Sequence, residues 1–502
     1  MLRIYIKGNQ DERFHRPLRL ISNLFFEETE LLFEEDEADL TASFMIEDRG
    51  PSVLISGIAE AGSRTYTASH EKDLTAFSIE KERFKQIKNT LARVYLMLLQ
   101  EHTGIIQQWG ILTGMRPVKL LHKMLQDGMT KEAAHHKLRE EYLITEQKIQ
   151  LMQSIVDRQL KVIPDLYDLG REISIYIGIP FCPTKCAYCT FPAFAMNGKQ
   201  GRVDSFLGGL HYEMEEIGKY LKESGIKITT VYYGGGTPTS ISAEEMDMLY
   251  ERMMEVFPDV KNIREVTVEA GRPDTITPEK LDVLKKYSID RISINPQSYT
   301  QETLKAIGRH HTVEETIEKF HLARKHGMNN INMDLIIGLP NEGVEEMAHS
   351  LAETEKLMPE SLTVHTLSFK RASEMTQNKK RYKVASREET SDMMGLAVDW
   401  TAINGYEPYY LYRQKNILGN LENVGYALEG QDSLYNIMIM EEQQTILGLG
   451  CGAASKFRDP ETGKISHFNN PKDPKSYNDG YKHYTEEKIR IMNELFGVKE
   501  DV

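Results

Sequence analysis

Tyr176-Ile177-Gly178-Ile179-Pro180-Phe181-Cys182-Pro183-Thr184-Lys185-Cys186-Ala187-Tyr188-Cys189 holds three of the four cysteines in the chain, at spacing C-x3-C-x2-C. The β-branched run Ile173–Ile179 leads into it, so three thiolates fit in one tight loop after a strand and can converge on one inorganic centre. Soft thiolates suit zinc or an iron–sulfur cluster, and a full cubane takes one cysteine per iron. Three cysteines leave one iron without a protein ligand, open to a small molecule. The alternative is a zinc site completed by a distant Cys or His, but zinc knuckles pair two short Cys/His hooks and no second hook exists. Cys451, in the run Gly448–Ser455, reads as a small buried residue.

Outward from this loop the pattern is regular. A helix is expected from Asp204 to about Glu223, then the strand Thr229–Tyr233 ending at Gly234-Gly235-Gly236-Thr237-Pro238-Thr239. The helix Ala243–Val256 precedes the strand Glu265–Ala270, and Pro278–Tyr287 leads to the strand Arg291–Asn295. Helices over Thr300–Ile307 and Val313–His326 precede the strand Asn332–Gly338, then come the helix Gly343–Met358 and the strand Leu362–Leu367. Six near-continuous apolar strands alternating with helices imply parallel strands buried on both faces and joined by right-handed crossovers. Six units fall short of the eight that close a complete barrel, so the fold class is α/β, a partial (β/α)6 barrel. Its active face is the C-terminal end of the strands, where the cysteine loop, Gly234–Thr239, Glu269, Gln297 and Asp334 all fall.

Residues 1–165 read as an accessory α+β domain, with short strands at Leu2–Lys7 and Ser52–Ile58 followed by helices. Pro117 opens a helix through Leu125, Thr130 caps another, and one more spans Glu146–Val162. Residues 166–370 form the barrel, and 371–502 a smaller C-terminal domain that closes its open side. A chain of 502 residues is long enough for about two or three domains. With 61 Lys+Arg against 75 Asp+Glu the formal net charge is −14, which makes nucleic acid a poor default partner. No apolar run of about eighteen residues appears, so no membrane span is expected. Clustered, otherwise sparse cysteines argue for a cytoplasmic protein with reduced thiols.

Tyr-x-x-I-P-F-C-x3-C-x-[YF]-C, the G-G-G-T-P-T turn, Glu269 in Thr267-Val268-Glu269-Ala270, Gln297, Arg309 in Gly308-Arg309-His310-His311, and Asn332-Met333-Asp334-Leu335-Ile336-Ile337-Gly338-Leu339-Pro340 occur in that order. In these the sequence resembles the radical S-adenosylmethionine (SAM) superfamily, and within it the oxygen-independent coproporphyrinogen III oxidase (coproporphyrinogen dehydrogenase) family. The long N-terminal extension looks most like the HemZ-type branch. The resemblance covers about Ile173 to Ser455.

It implies a radical-SAM barrel in which Cys182, Cys186 and Cys189 hold a [4Fe–4S] cluster whose fourth iron is chelated by SAM. Tyr176 and Tyr188 would border the cofactor, and Gly235, Gly236 and Thr237 would receive its methionine end. Glu269, Gln297, Arg309 and Asp334 would provide polar contacts to one or two SAM molecules. The implied reaction converts propionates of coproporphyrinogen III to vinyls, giving protoporphyrinogen IX in porphyrin and haem biosynthesis, with a one-electron donor such as flavodoxin or ferredoxin. Lys370-Arg371 and Arg413 with Lys415 are candidates to meet the carboxylates of the tetrapyrrole.

Two departures matter. The oxidases carry a further cysteine two places after the third cluster cysteine, where this sequence has Phe191. The haem-trafficking relatives show H-N-x-x-Y-W, where this chain has Glu422-Asn423-Val424-Gly425-Tyr426-Ala427. Alternative readings are therefore a haem-binding chaperone with a weakly catalytic cluster, and a radical SAM enzyme for another substrate.

Overall fold

The computed structural model describes all residues except Met1, Asn9, Gln10, Glu27, Met115, 195–201, Arg371, Lys379, Lys380 and 498–502. It divides into two compact units, Met1–Gln153 and Ser154–Val502. The division falls inside the helix Glu146–Val162.

The first unit has a five-stranded sheet of β1 (Leu2–Lys7), β2 (Thr29–Leu32), β3 (Leu40–Asp48), β4 (Ser52–Ala61) and β5 (Arg64–Asp73), in the order β2-β1-β3-β4-β5. β1 runs parallel to β2 and β3, while β3, β4 and β5 form an antiparallel meander. Ile4, Ile6, Leu18, Ile55, Val94 and Leu98 are fully buried where the helices Glu12–Phe25 and Glu80–Thr103 cover this sheet. Pro117 opens the helix Pro117–Gln126, and the Thr130 hydroxyl accepts the Ala133 N–H at the next one.

The second unit is built on eleven strands: β6 (Ile173–Ile179), β7 (Ile228–Gly235), β8 (Glu265–Val268), β9 (Arg291–Ser293), β10 (Ile331–Ile337), β11 (Ser361–Thr366), β12 (Glu407–Tyr412), β13 (Asn423–Ala427), β14 (Thr445–Gly450), β15 (Ala454–Arg458) and β16 (Ile465–Asn469). Their order is β12-β13-β11-β10-β9-β8-β7-β6-β14-β15-β16. From β14 through β6 to β11, seven neighbouring strands are parallel. β13 and β12 continue antiparallel at one edge, β15 and β16 at the other. Among the described residues no pairing joins β12 to β16, so the barrel is open. Strands 371–502 thus extend both edges of the same sheet instead of bridging its gap.

The helix Leu434–Glu441 plugs the N-terminal end of the strands. Its first turn rests on Glu265 at the start of β8, whose carboxylate accepts from Ser433 Oγ (3.0 Å), Leu434 N–H (2.9 Å) and Tyr435 N–H (3.1 Å). A carboxylate there satisfies helix N–H groups that have no partner inside the helix and suits the positive end of its dipole. Behind β6, the helices Val203–Ser224 and Pro474–Phe496 meet over a fully buried ion pair between Glu213 and Lys488.

Candidate active site

The cysteine loop is tied down on every side. Phe194 N–H donates to Pro180 O at 2.9 Å and Cys182 N–H to Phe194 O at 3.1 Å, closing the loop on itself. Ala187 N–H donates to Ile307 O (2.9 Å), Met375 N–H to Ala187 O (3.0 Å), and Thr184 Oγ1 to Gly308 O (3.0 Å). From β7, Gly236 N–H reaches Ile179 O at 2.8 Å and Thr237 N–H reaches Phe181 O at 2.7 Å, with Thr237 Oγ1 3.3 Å from Cys182 Sγ. A Cβ on Gly236 would stand 2.4 Å from Phe181 O, and one on Gly235, at φ +113°, 2.7 Å from Ile179 O. Gly235 and Gly236 are required because this turn lies directly on the backbone of Ile179 and Phe181, while a Cβ on Gly234 would meet the side chains of Tyr176, Tyr232 and Glu269.

Arginines flank the loop. Arg272 is buried, paired with Asp274 at 2.8 Å, and donates to Thr184 Oγ1 at 2.9 Å, with Nη1 3.9 Å from Cys186 Sγ. Arg309 is buried and donates through Nη2 to Gly271 O at 2.6 Å, while its Nε and Nη1 have no partner among the described residues. Neither ring nitrogen of His311 has one either, and burial with Arg309 and Arg272 nearby pushes its pKa down to about 3.

Deeper in the lumen the predicted acids are present with partners that the sequence did not name. The Glu269 carboxylate accepts from Tyr232 OH at 2.9 Å, and the burial of Glu269, with Asp334 nearby, raises its pKa from 4.5 to about 7 despite that bond. Asp334 accepts from Asn295 Nδ2 and Asn332 Nδ2, both at 2.8 Å, and lies 3.4 Å from His365 Nε2. Burial alone would raise the Asp334 pKa, but His365 and the hydrogen bonds from Asn332 and Thr363 outweigh it and hold the carboxyl below its ordinary value. Gln297, at φ +66°, donates its N–H to Asp334 O (2.9 Å) and accepts from Ile336 N–H (3.0 Å), which splices it onto β10. His365 Nδ1 is 3.1 Å from Tyr412 OH.

Tyr176 and Tyr188 do not meet. Tyr176 belongs to a stack with Tyr232 and Tyr435, ring centroids 6.1 and 6.2 Å away, and Tyr232 and Tyr435 are 4.4 Å apart. Tyr188 packs in the apolar cluster of Ala187, Leu304, Ile307, Leu339 and Met375. Of the expected basic recess, Lys370 lies by Cys189, which favours its charge, though burial pulls its pKa down; Lys415 is exposed and Arg371 lies outside the described residues. Arg413 corrects the expectation. It is buried and donates to Leu421 O (3.3 Å), Asn420 O (3.2 Å) and Asn420 Oδ1, holding the turn before β13. Phe191 is 56% exposed.

The residues fit an iron–sulfur cluster with a polar organic ligand. Gln297 Oε1, Asn295 Oδ1, Arg309 Nε and Nη1 and both His311 nitrogens are buried and unpaired among the described residues, at the strand ends that carry the cysteines. Each such atom costs about 1–3 kcal/mol if nothing meets it. A ligand with carboxylate, ammonium and hydroxyl groups supplies complements to this mix of donors and acceptors. Arg272, Asn295, Tyr232 and His365 were not picked out from sequence. Arg272 had a usable signal, a lone cation three places beyond Glu269 at a strand end, whereas His365 sits in a strand whose pattern reads as core.

Glu269 gives a pH prediction. Because its folded pKa is raised, the stabilisation it contributes is full below about pH 4.5 and is lost as pH rises through about 7. Its partial exposure to the lumen trims the effect to about 2–3 kcal/mol. Chemical denaturation of the cofactor-free protein should show Glu269→Gln gaining on wild type between about pH 5.5 and 8. Parallel pH profiles for the two proteins would contradict this assignment.

The sequence model of the radical SAM superfamily matches residues 176–353. Along its whole length the chain is similar to the oxygen-independent coproporphyrinogen-III oxidase-like protein HemZ of Bacillus subtilis (strain 168), at 68% identity over 496 residues covering 99% of each. It is 29% identical over 300 residues to the heme chaperone HemW of the same organism, covering 59% of this chain and 74% of that one. Among solved structures, coproporphyrinogen III oxidase (HemN) from Escherichia coli, a radical SAM enzyme, aligns with a TM-score of 0.51 over 65% of this chain and 72% of that chain, at 21% identity, a likeness of fold. The chain therefore belongs to the radical SAM superfamily, and within it to the HemZ-type branch of the oxygen-independent coproporphyrinogen-III oxidase-like proteins, with a [4Fe–4S] cluster and SAM as its cofactors.

Proposed function

We propose that the protein is a radical SAM oxidoreductase that converts propionate side chains of coproporphyrinogen III to vinyls. The observation that carries this reading is the set of unpaired buried polar atoms on Asn295, Gln297, Arg309 and His311, next to the cysteine loop and above a polar lumen. Cys182, Cys186 and Cys189 would hold three irons. The Gly236 and Thr237 N–H groups are already engaged by Ile179 and Phe181, so the glycine turn offers a ligand ammonium its carbonyls. The two free Arg309 donors suit a carboxylate. Glu269, Gln297 and Asp334 suit ribose hydroxyls, with Asn295, Asn332 and His365 holding Asp334 in its charged form.

When bound, the cluster and SAM supply a carbon radical through one-electron cleavage of the sulfonium, and the chain's part is to position it and exclude water. The plug at Leu434–Glu441 and the Tyr176–Tyr232–Tyr435 stack close the lumen below, so substrate enters from the cysteine end. Removal of a hydrogen atom from the propionate by that carbon radical, followed by loss of CO2 and transfer of one electron to a one-electron acceptor, would leave the vinyl group.

The haem-chaperone reading is less favoured because the stretch comparable to H-N-x-x-Y-W has neither His nor Trp and is interior strand. Glu422 and Asn423 are each 1% exposed, and the Asn423 carbonyl oxygen Oδ1 accepts the Thr366 N–H at 2.8 Å. The deciding experiment is anaerobic incubation of the reconstituted protein with reductant, SAM and coproporphyrinogen III. Vinyl product together with 5′-deoxyadenosine is expected. 5′-Deoxyadenosine without vinyl product would move the protein to another substrate, and a stoichiometric Soret band on haem titration without SAM cleavage would move it to the chaperones.

A further inference from the structure

We propose that Lys185, Lys370, Arg381 and Lys383 form a docking surface beside the cysteine loop for a small acidic one-electron carrier protein. This rests on the reading above, since a radical SAM cluster acts only after taking up one electron. The reduced carrier gives one electron to the cluster and is left oxidised by one electron, and no proton needs to move.

The charge distribution comes first. The whole chain has a formal net charge of −14, yet residues 370–383 carry six basic residues and a single acid, Glu374. Only Lys370, Arg381 and Lys383 of that stretch, together with Lys185, enter the proposed surface. The segment is fastened to the cysteine loop by Met375 N–H, which donates to Ala187 O at 3.0 Å between Cys186 and Cys189. Tyr382 and Val384 pack into the same apolar cluster as Ala187 and Tyr188. Their neighbours Arg381 and Lys383 are consequently turned outward and exposed. The acids beside them are Glu374, which accepts from Tyr382 OH at 2.9 Å and pairs with Arg381 at 3.7 Å, and Glu389 near Lys383, so four basic groups face two carboxylates and the local balance stays positive. Lys185, within the cysteine loop, is exposed, and Lys370 lies by Cys189. A local positive field on the loop that carries the thiols, in an otherwise acidic protein, steers an acidic partner to the point where an electron has the shortest way in. A nucleic acid fits less well, because a long polyanion would also meet the negative remainder of the surface.

The test compares two reductants on the full, cluster-reconstituted chain. In the double variant Arg381→Glu/Lys383→Glu, 5′-deoxyadenosine formation driven by dithionite should equal wild type. With reduced flavodoxin or ferredoxin, the carrier concentration for half-maximal rate should rise about tenfold or more, and the wild-type value should rise with salt. Arg381→Lys/Lys383→Arg should behave as wild type. Unchanged dependence on both carriers in the double variant would overturn the proposal. Binding of the oxidised carriers to resting protein, read by titration calorimetry, keeps this separate from the functional reading. If wild type never cleaves SAM even with dithionite, the functional reading fails, while loss of carrier binding in the double variant still supports the docking surface. Binding of a single-stranded oligonucleotide at this face, with no carrier bound, would overturn it.

Discussion

Serine in place of Cys182, Cys186 or Cys189 is expected to abolish SAM cleavage, by more than about a thousandfold, or at least about 4 kcal/mol of barrier. On the proposed assignment each thiolate would bind one iron and no other side chain could substitute, and the side chain of the remaining cysteine is engaged elsewhere. Cys451 is 2% exposed, with Sγ 3.3 Å from Pro471 O, and burial pushes its pKa up. Cys451→Ser should therefore keep its iron, its sulfide and its near-ultraviolet to visible absorption after anaerobic reconstitution. The three loop variants should lose them while keeping the circular dichroism of the wild type, because the loop is fixed by backbone bonds from Phe194, Ile307 and Met375 and not by its sulfurs. Uptake of zinc in place of iron and sulfide by the wild type, or full iron content in Cys186→Ser, would remove the basis of the assignment.

The parts of the fold legible in sequence are those where one residue pattern has one structural solution. β6, β10 and β11 are buried on both faces and read as apolar runs, and the cysteine spacing points to one loop whatever surrounds it. β14 was not legible. Thr445-Ile446-Leu447-Gly448-Leu449-Gly450 is short and glycine-rich, so it reads as a turn, yet all six residues are buried beside β6, with Gly450 opposite Gly178. The glycines there serve close backbone approach, since a Cβ on Gly450 would lie 2.4 Å from Gly178 O. β5 was missed for the opposite reason. Arg64–Asp73 is an edge strand of mainly polar residues, and nothing local marks it apart from pairing with β4. At the site, the residues that were legible sit in motifs fixed along the chain. Asn332 meets Asp334 from two places back on the same strand, but Asn295 and His365 reach it from the neighbouring β9 and β11 segments, and only the sheet order brings those two together.

Lys488→Met should destabilise the second unit by about 3–5 kcal/mol, the cost of leaving a buried partner charge uncompensated. Lys488 and Glu213 are both fully buried, and burial pulls the Lys488 ammonium pKa down even with the carboxylate beside it. The network has no slack. Glu213 also accepts from Gly450 N–H and Tyr477 OH, both at 2.7 Å, and from Asn470 Nδ2 at 3.2 Å, while Lys488 donates to Gly448 O at 2.8 Å. Through Gly448 and Gly450 it holds β14, and β14 backs the strand that ends in the cysteines. The loss should therefore appear twice, as a lower midpoint in chemical denaturation and as faster loss of iron from the reconstituted protein. Glu213→Gln/Lys488→Met should recover part of both, because a neutral amide removes the stranded charge and can still accept from Gly450 or Tyr477. A change under about 1 kcal/mol in the single variant would mean that water reaches Glu213 and that the pair does not hold the C-terminal helix in place.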